Sequence, residues 1–260
     1  YAGKKAIWIC DQPQPGFALH PAFKNAGAEI AQFWVAKYQA GYDGTSKVTS
    51  VAGATPLVSV DFPTMQARCS ARNTGGVTGF GLWSVYQLAT IQMLAMIEIG
   101  GADSQSLIGQ GNVSGGSALA IDNATVAQAT WRGIVGLWGN VFQMVDGLQT
   151  DASSKYKIWD RLGNKGYVTT SQTAPAGGYP VTMSEGTGAD FDLRDIFGAA
   201  TTDATAGNGT YGDYFSQSAN CVAYHGGNYG AGADAGLFFL YVNAPASFSS
   251  AGIGGRLAKV

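Results

Sequence analysis

Near the C-terminus, Phe238, Leu240 and Val242 alternate with Phe239, Tyr241 and Asn243, the two-residue period of a strand that buries one face. The other face would carry aromatic and amide side chains, so it is expected to meet solvent or a partner. The flanking segments 226–236 and 244–255 are built of small residues, into which Tyr229, Asp234 and Phe248 are set singly. Rigid rings on a background of Gly, Ala, Ser and Asn resemble an antibody-like binding surface. An ordinary glycine-rich hairpin is the plainer alternative.

Upstream, residues 6–10 (AIWIC), 33–38 (FWVAKY) and 57–62 (LVSVDF) read as short strands separated by turn-rich sequence,. Pro63 is placed to open a helix that stops at 73–76,. The clearest helix covers 83–99 and ends at Gly100-Gly101; apolar nearly all round, it is expected to be buried,. Residues 109–116 (GQGNVSGG) lack the GK[ST] ending of a phosphate loop and read as a plain loop,. Residues 150–220 alternate small polar residues with aromatic islands, which predicts loops and small strands,. No repeat at a fixed period is present, and the order of elements predicts a mixed α+β domain.

Composition narrows the function classes. The chain has 260 residues, a formal charge of -2 and only 12% charged side chains, with 38 glycines. Polarity must come from Ser, Thr, Asn, Gln and the backbone, which suits an extracellular or virion surface. Nucleic-acid affinity needs basic clusters, and none is present, so no nucleic-acid partner is expected. The longest apolar run, near 91–99, is too short to span a bilayer, so no membrane insertion is expected,. Cys10, Cys69 and Cys221 are odd in number and far apart, which fits three structural thiols,. The chain starts at Tyr1, so this end does not decide whether a signal or anchor lies upstream,.

Candidate chemistry is sparse. His20, before Pro21, reads as a turn residue. His225 has three readings: a ligand contact, a satisfied strand histidine, or a general base. Asp190, Asp192 and Asp195 could gather for a metal or for acid-base work, or pair with Arg194 and Arg161, or stay solvated,. The sequons at Asn112, Asn123 and Asn208 match N-x-[ST],.

Three segments in order carry a resemblance. Residues 139–147 (GNVFQMVDG), 225–229 (HGGNY) and 252–258 (GIGGRLA) resemble the GNVWEWVDG, RGGSW and NIGFRLA motifs of formylglycine-generating-enzyme-like domains. Residues 20–40 are similar to the opening strand of the same fold, so the likeness spans roughly 20–258. Within that superfamily, AGLFFLYVNAPASFSSAGIGGR is similar to the AGLFYLNLNNAPSNSNSNIGFR pattern of variable proteins of diversity-generating retroelements and phage tropism determinants.

The resemblance implies an α+β, C-type lectin-like fold with two helices, short strands and long loop insertions. It implies an N-terminal strand or linker over 1–19 and a ligand-binding domain over 20–260. Diversifiable positions of the pattern fall on Phe239, Tyr241, Ala244, Phe248, Ser250 and Gly252. With Asn228, Tyr229, Asp234 and Asn243 they form the expected ligand-binding set. By the same analogy Asn140 and Asp146 are calcium candidates, the alternative being that they cap backbone turns. No cofactor is otherwise required. The paired cysteines with which the superfamily's oxidases hold copper are absent between 230 and 240, so a non-enzyme is expected,.

The function implied is recognition of a host or target cell-surface protein or glycan, glycosylation of the sequons not being expected in a bacterial or phage protein. Display on a virion tail tip or fibre, or alternatively on a bacterial surface, would be as a homo-oligomer, a trimer being favoured, beside other tail proteins. The alternative function is a structural tail or baseplate component that uses the same fold for subunit contacts.

Overall fold

A computed structural model of the chain describes residues 8–10 and 12–260. A short hairpin of β1 (Lys24–Asn25) and β2 (Ala28–Glu29) precedes β3 (Trp34–Val35), and β4 (Gly41–Tyr42) pairs with β5 (Val48–Thr49). Then come α1 (Phe62–Ser70), β6 (Phe80–Leu82), α2 (Val85–Ile99), and two single-turn helices, α3 (Ser104–Leu107) and α4 (Ala124–Ala127). The second half is strand and loop: β7 (Phe142–Thr150), β8 (Lys155–Trp159), β9 (Tyr167–Thr173), β10 (Tyr179–Met183), β11 (Ala199–Asp203), β12 (Phe215–Gln217), β13 (Val222–His225), β14 (Leu240–Ala244), β15 (Ile253–Gly255) and β16 (Leu257–Lys259). Helices are present as expected, but strands dominate more than a balanced α+β description implies.

The main sheet has seven strands in the order β12-β14-β13-β7-β8-β9, with β15 beside β7. Neighbours run antiparallel except β12 with β14 and β15 with β7, which are parallel. A second sheet, β3-β16-β6, ties the chain's last strand to its early part. Helix α2 lies against β7.

Local sequence explains the helix ends. Ser84 and Gln87 form a reciprocal capping box, and Gly100 stops α2 in a left-handed conformation at φ 73°,. The helix is not buried all round: Leu94 and Ile97 are exposed in its last turns. Asp61 accepts from the Thr64 amide at 2.9 Å and Pro63 occupies the first turn, so α1 begins at Phe62,.

That early start removes the strand expected over 57–62. Ser59 takes φ 57°, which breaks an extended run, and only an isolated bridge from Pro56 to Gly41 remains,. The strand expected over 33–38 shrinks to β3. Of the strand expected over 6–10, Ala6 and Ile7 lie outside the described residues and Trp8, Ile9 and Cys10 form none. Cys10 is exposed, whereas Cys69 and Cys221 are buried, and all three are free thiols. Among the described residues no helix is long and apolar enough to cross a membrane.

Candidate functional site

Four neighbouring strands place their side chains by register. His225 stands opposite both Gln143 and Leu240, and Gly254 stands opposite Gln143. Tyr224 stands opposite Tyr241 and Met144, and Ile253 opposite Phe142. Cross-strand partners share a face of the sheet. One face therefore carries a polar row and the other an aromatic row.

The polar row is closed off. Arg256, fully buried, donates from Nε to Gln143 Oε1 at 2.8 Å and from its terminal nitrogens to the carbonyls of Ala36, Lys37, Val135 and Gly136 at 2.7–3.1 Å. Its guanidinium sits 5.5 Å from the Trp83 ring centroid,. Burial lowers its pKa to about 9, still high enough to stay charged at neutral pH. Gln143 donates in turn to the carbonyls of Gly136 and Leu137. His225 has Nε2 3.0 Å from the Leu137 carbonyl and Nδ1 3.3 Å from that of Phe239. Burial pushes the imidazole pKa down to about 4, so the ring is neutral at pH 7,. Of its three readings, the buried strand histidine fits this placement, the neutral ring donating to one of the two carbonyls and leaving its other nitrogen without a donor.

The aromatic row opens into a cleft of about 430 Å³. Its deep side is formed by Tyr224 and Ile253, both buried, with half-buried Phe142. Tyr241, Asn243 and Ala244 of β14 form one wall, and the following loop supplies Pro245 and Phe248, the last 46% exposed at the mouth. Tyr241 stacks on Phe142 at 5.5 Å and 26°, and both lie on Phe239 at 4.3 and 5.5 Å,. Tyr214 meets Tyr241 edge-on at 6.2 Å, and Tyr179 meets Tyr214 at 5.2 Å. Tyr179 donates to Asp234 Oδ1 at 2.7 Å, and that carboxylate, followed by desolvation, raises the Tyr179 phenol to about 12. Burial, then Cys221, pushes Tyr224 up to about 12, and burial raises Tyr241 too. These phenols are neutral at pH 7.

The expected ligand set separates into groups. Tyr241, Asn243, Ala244 and Phe248 line the cleft. Asn228, Tyr229, Ser250 and Gly252 form an adjoining cluster: Ser250 Oγ accepts from the Gly252 amide at 3.2 Å, and a Cβ on Gly252 would stand 2.5 Å from Asn228 Nδ2 and 3.6 Å from the Tyr229 hydroxyl oxygen. Asp234 joins through Tyr179 and Tyr214.

Two members need correction. Phe239 is 1% exposed, because it precedes β14 in a turn that folds it beneath Phe142 and Tyr241; it supports the surface rings and presents almost no surface of its own. Gly252 is buried and has no side chain to offer. The sequence reading missed Phe142, Tyr224 and Ile253. Each sits in a recognisable strand, but only tertiary pairing makes them neighbours.

The calcium candidates do not assemble a donor set. Asn140 is fully buried; its Oδ1 accepts from Asn112 Nδ2 at 2.9 Å and the Leu119 amide at 2.8 Å, while its Nδ2 donates to Gln39 Oε1 at 2.8 Å and the Leu119 carbonyl at 3.1 Å. Asp146 accepts on Oδ2 from Gln66 at 2.7 Å, and on Oδ1 from Tyr167 at 3.0 Å and the Gly147 amide at 2.8 Å; burial raises its pKa. With these oxygens committed to neutral donors, the pair does not fit a hard cation that wants several free oxygen ligands. In the acidic segment Asp192 pairs with Arg194 at 2.6 Å and Asp195 with Arg161 at 2.7 Å, while Asp190 is exposed. Among the described residues no group of three His, Cys, Asp or Glu could hold a metal ion. His20 caps a single 3-10 turn through the Ala22 amide, a turn role as expected.

No family model and no curated protein matches the chain. Among solved structures it is similar to the Major Tropism Determinant P3c variant, at 16% identity over 87% of this chain and 50% of that one, TM-score 0.43. The U1 variant of the same determinant gives 15% identity, 87% and 50% coverage and a TM-score of 0.41. Treponema denticola variable protein 1 gives 12% identity over 87% of this chain and 93% of that one, TM-score 0.39. The chain spans about half the length of the two tropism-determinant chains. These neighbours are tropism-determinant and variable proteins, the kind that the C-terminal segment resembles, and they give no support to the wider formylglycine-generating superfamily.

Proposed function

We propose that this chain is a non-enzymatic binding protein that engages a host or target surface through the cleft between β14 and the 245–252 loop. The observation that carries the reading is an open aromatic cleft of about 430 Å³ whose rings are fixed from behind by buried neighbours. Rigid rings give up little conformational entropy on binding, so their contact area converts into affinity. The sequence resemblance extends this to a C-type lectin-like, variable-type receptor-binding protein on a phage tail tip or fibre, or on a bacterial surface. A single cleft of this size gives modest affinity, and display in a homo-oligomer, a trimer in this reading, raises it through avidity.

The test is the double substitution Tyr241→Ala with Phe248→Ala. Phe248 is 46% exposed and Tyr241 is half-buried, so the fold should survive, with Tm down by only a few degrees,. Adsorption to target cells should be lost. Undiminished adsorption by a folded double variant refutes the proposal.

A further inference from the structure

A second, smaller cleft of about 40 Å³ opens beside the start of α2, and it shares no lining residue with the aromatic cleft. Gln87 lines it and is only 5% exposed. The capping box fixes this side chain, because Gln87 Oε1 accepts from the Ser84 amide at 2.9 Å,. Its Nε2 has no hydrogen-bond partner, and unlike the hydroxyls of Ser184 and Tyr224 it is not sealed from solvent. With so little of Gln87 exposed, the opening that this nitrogen reaches is the cleft that Gln87 lines. An amide held by its oxygen and open at its nitrogen offers donors to a group that enters there.

The surroundings carry positive charge without a counter-charge. Lys24, Lys165 and Lys259 line the cleft, no Asp or Glu does, and none of the three lysines makes an ion pair among the described residues. Two of them rest on rings instead: Lys165 Nζ is 5.7 Å from the Trp159 centroid, and Lys259 Nζ is 5.0 Å from that of Trp34,. Asp146, the buried acid that interacts with Lys165, does not line the cleft and has its oxygens taken by Gln66, Tyr167 and the Gly147 amide. The N-terminus of the 15-residue α2 adds the positive pole of its dipole,. In a chain of formal charge -2, three unpaired cations at one opening are a local excess.

Size and charge together select the occupant. The cleft has room for roughly three waters, about the bulk of a carboxylate or of a small tetrahedral oxyanion,. A cation would be repelled by the three ammonium groups, and an apolar group would leave the Gln87 donors unused. We propose that this cleft is an oxyanion site, in which the Gln87 side-chain amide donates to a carboxylate, phosphate or sulfate oxygen while Lys24, Lys165 and Lys259 balance its charge.

The test titrates the full chain with acetate, inorganic phosphate and sulfate, at an ionic strength held constant with sodium chloride, and follows the Gln87 side-chain amide and the lysine ε-methylenes by NMR. At least one of the three oxyanions should shift these resonances saturably, and the tightest of them separates a carboxylate occupant from a phosphate or sulfate one. Gln87→Glu keeps the acceptor for the Ser84 amide, and with it the capping box, but puts an oxygen where the free donors stand,. Oxyanion binding should weaken at least about tenfold in that variant, the effect of one charge-assisted hydrogen bond. Its Tm without added oxyanion should be unchanged or raised, since its own carboxylate meets the lysines. Lys24→Gln combined with Lys165→Gln should weaken binding by about tenfold at near-normal Tm, since neither lysine is buried,.

No saturable shift with any of the three oxyanions, a Gln87→Glu variant that binds as well as wild type or melts several degrees lower, or a double lysine variant that binds undiminished each overturns the inference. Binding that appears only when two glycines are appended after Val260, which also lines the cleft, would mean that the chain's own last carboxylate fills it, and overturns the inference too. Adsorption to target cells enters none of these readouts, so their failure leaves the role of the aromatic cleft untouched.

Discussion

Replacing Arg256 with methionine tests whether the buried polar row holds the binding face. Methionine has a similar reach and no donors. On losing the guanidinium, Lys37 keeps an amide donor from Val135, and Gly136 keeps both Gln39 and Gln143. The Ala36 carbonyl, the Val135 carbonyl and Gln143 Oε1 keep no hydrogen bond. Each buried acceptor left unpaired costs about 1–3 kcal/mol, so three give a gross loss of roughly 3–9 kcal/mol. Relief from burying a cation without a carboxylate partner offsets part of this, and a net loss of about 4 kcal/mol is expected. That is a large share of the roughly 5–15 kcal/mol that holds a domain together. Urea unfolding followed through the six tryptophans measures it,. Arg256→Lys, which keeps the charge but not the fork of donors, should fall between wild type and Arg256→Met. A loss under about 1 kcal/mol for Arg256→Met, with the fold intact, refutes the reasoning, since the carbonyls would then have other partners.

Other consequences can be checked separately. Since the folded pKa of His225 is about 4 against 6.5 for a free imidazole, its contribution to stability is complete above about pH 6.5 and falls away as pH drops toward 4,. Because Asp146 and Asp213 are raised and so act with the opposite sign, the cleaner readout is NMR of the chain's two histidines: the His225 ring should stay neutral at pH 5, and a midpoint near 6.5 contradicts its burial. Gly236→Ala should lower stability by about 2–4 kcal/mol, because its methyl would overlap the Asp213 carboxylate that accepts the Phe238 amide; an unchanged Tm would show that this turn yields freely,. Ser84→Ala should cost about 1 kcal/mol through the lost cap of α2, and a neutral result would mean that the helix start is fixed by packing alone,. Adding calcium or EDTA should leave Tm within about 2 °C, and a calcium-dependent rise beyond that would restore the metal reading of Asn140 and Asp146.

The parts legible in the sequence are those governed by neighbours along the chain. Ser84, Gln87 and Gly100 mark α2 because capping is local chemistry. The C-terminal alternation is also local, and Leu240 and Val242 are buried while Tyr241 and Asn243 stay half-exposed. Phe239 broke the pattern one residue before the strand: its amide donates to Gly236 and its carbonyl accepts from Gly226, so a turn and not the strand period decides where the ring goes. The 57–62 segment misled in the same way, since its apolar period was overruled by Ser59 and by the cap at Asp61. The cleft's deep side was invisible because Phe142, Tyr224 and Ile253 come from three strands far apart in sequence. Nothing in a linear pattern says that Tyr224 faces Tyr241.

The two faces of the sheet constrain each other. Along β7, β13 and β15, Gln143, His225 and Gly254 alternate with Phe142, Tyr224 and Ile253. A slip of one residue in any strand would exchange the two sets. It would drive Phe142 or Tyr224 among the carbonyls that Arg256 and Gln143 satisfy, and push an imidazole or amide into the cleft. The cost of unpairing that buried network is what holds the aromatic row in register, although no residue of the network touches the cleft. The two sides should therefore tolerate change differently: substitutions at Tyr241, Ala244 and Phe248 alter what is bound, whereas substitutions at Gln143, His225 and Arg256 alter whether there is a cleft at all. A paired set of variants separates these effects, because the first group should lose binding at near-normal Tm and the second should lose both together. Equal loss of Tm in both groups would show that the face is part of the core and not a surface laid upon it.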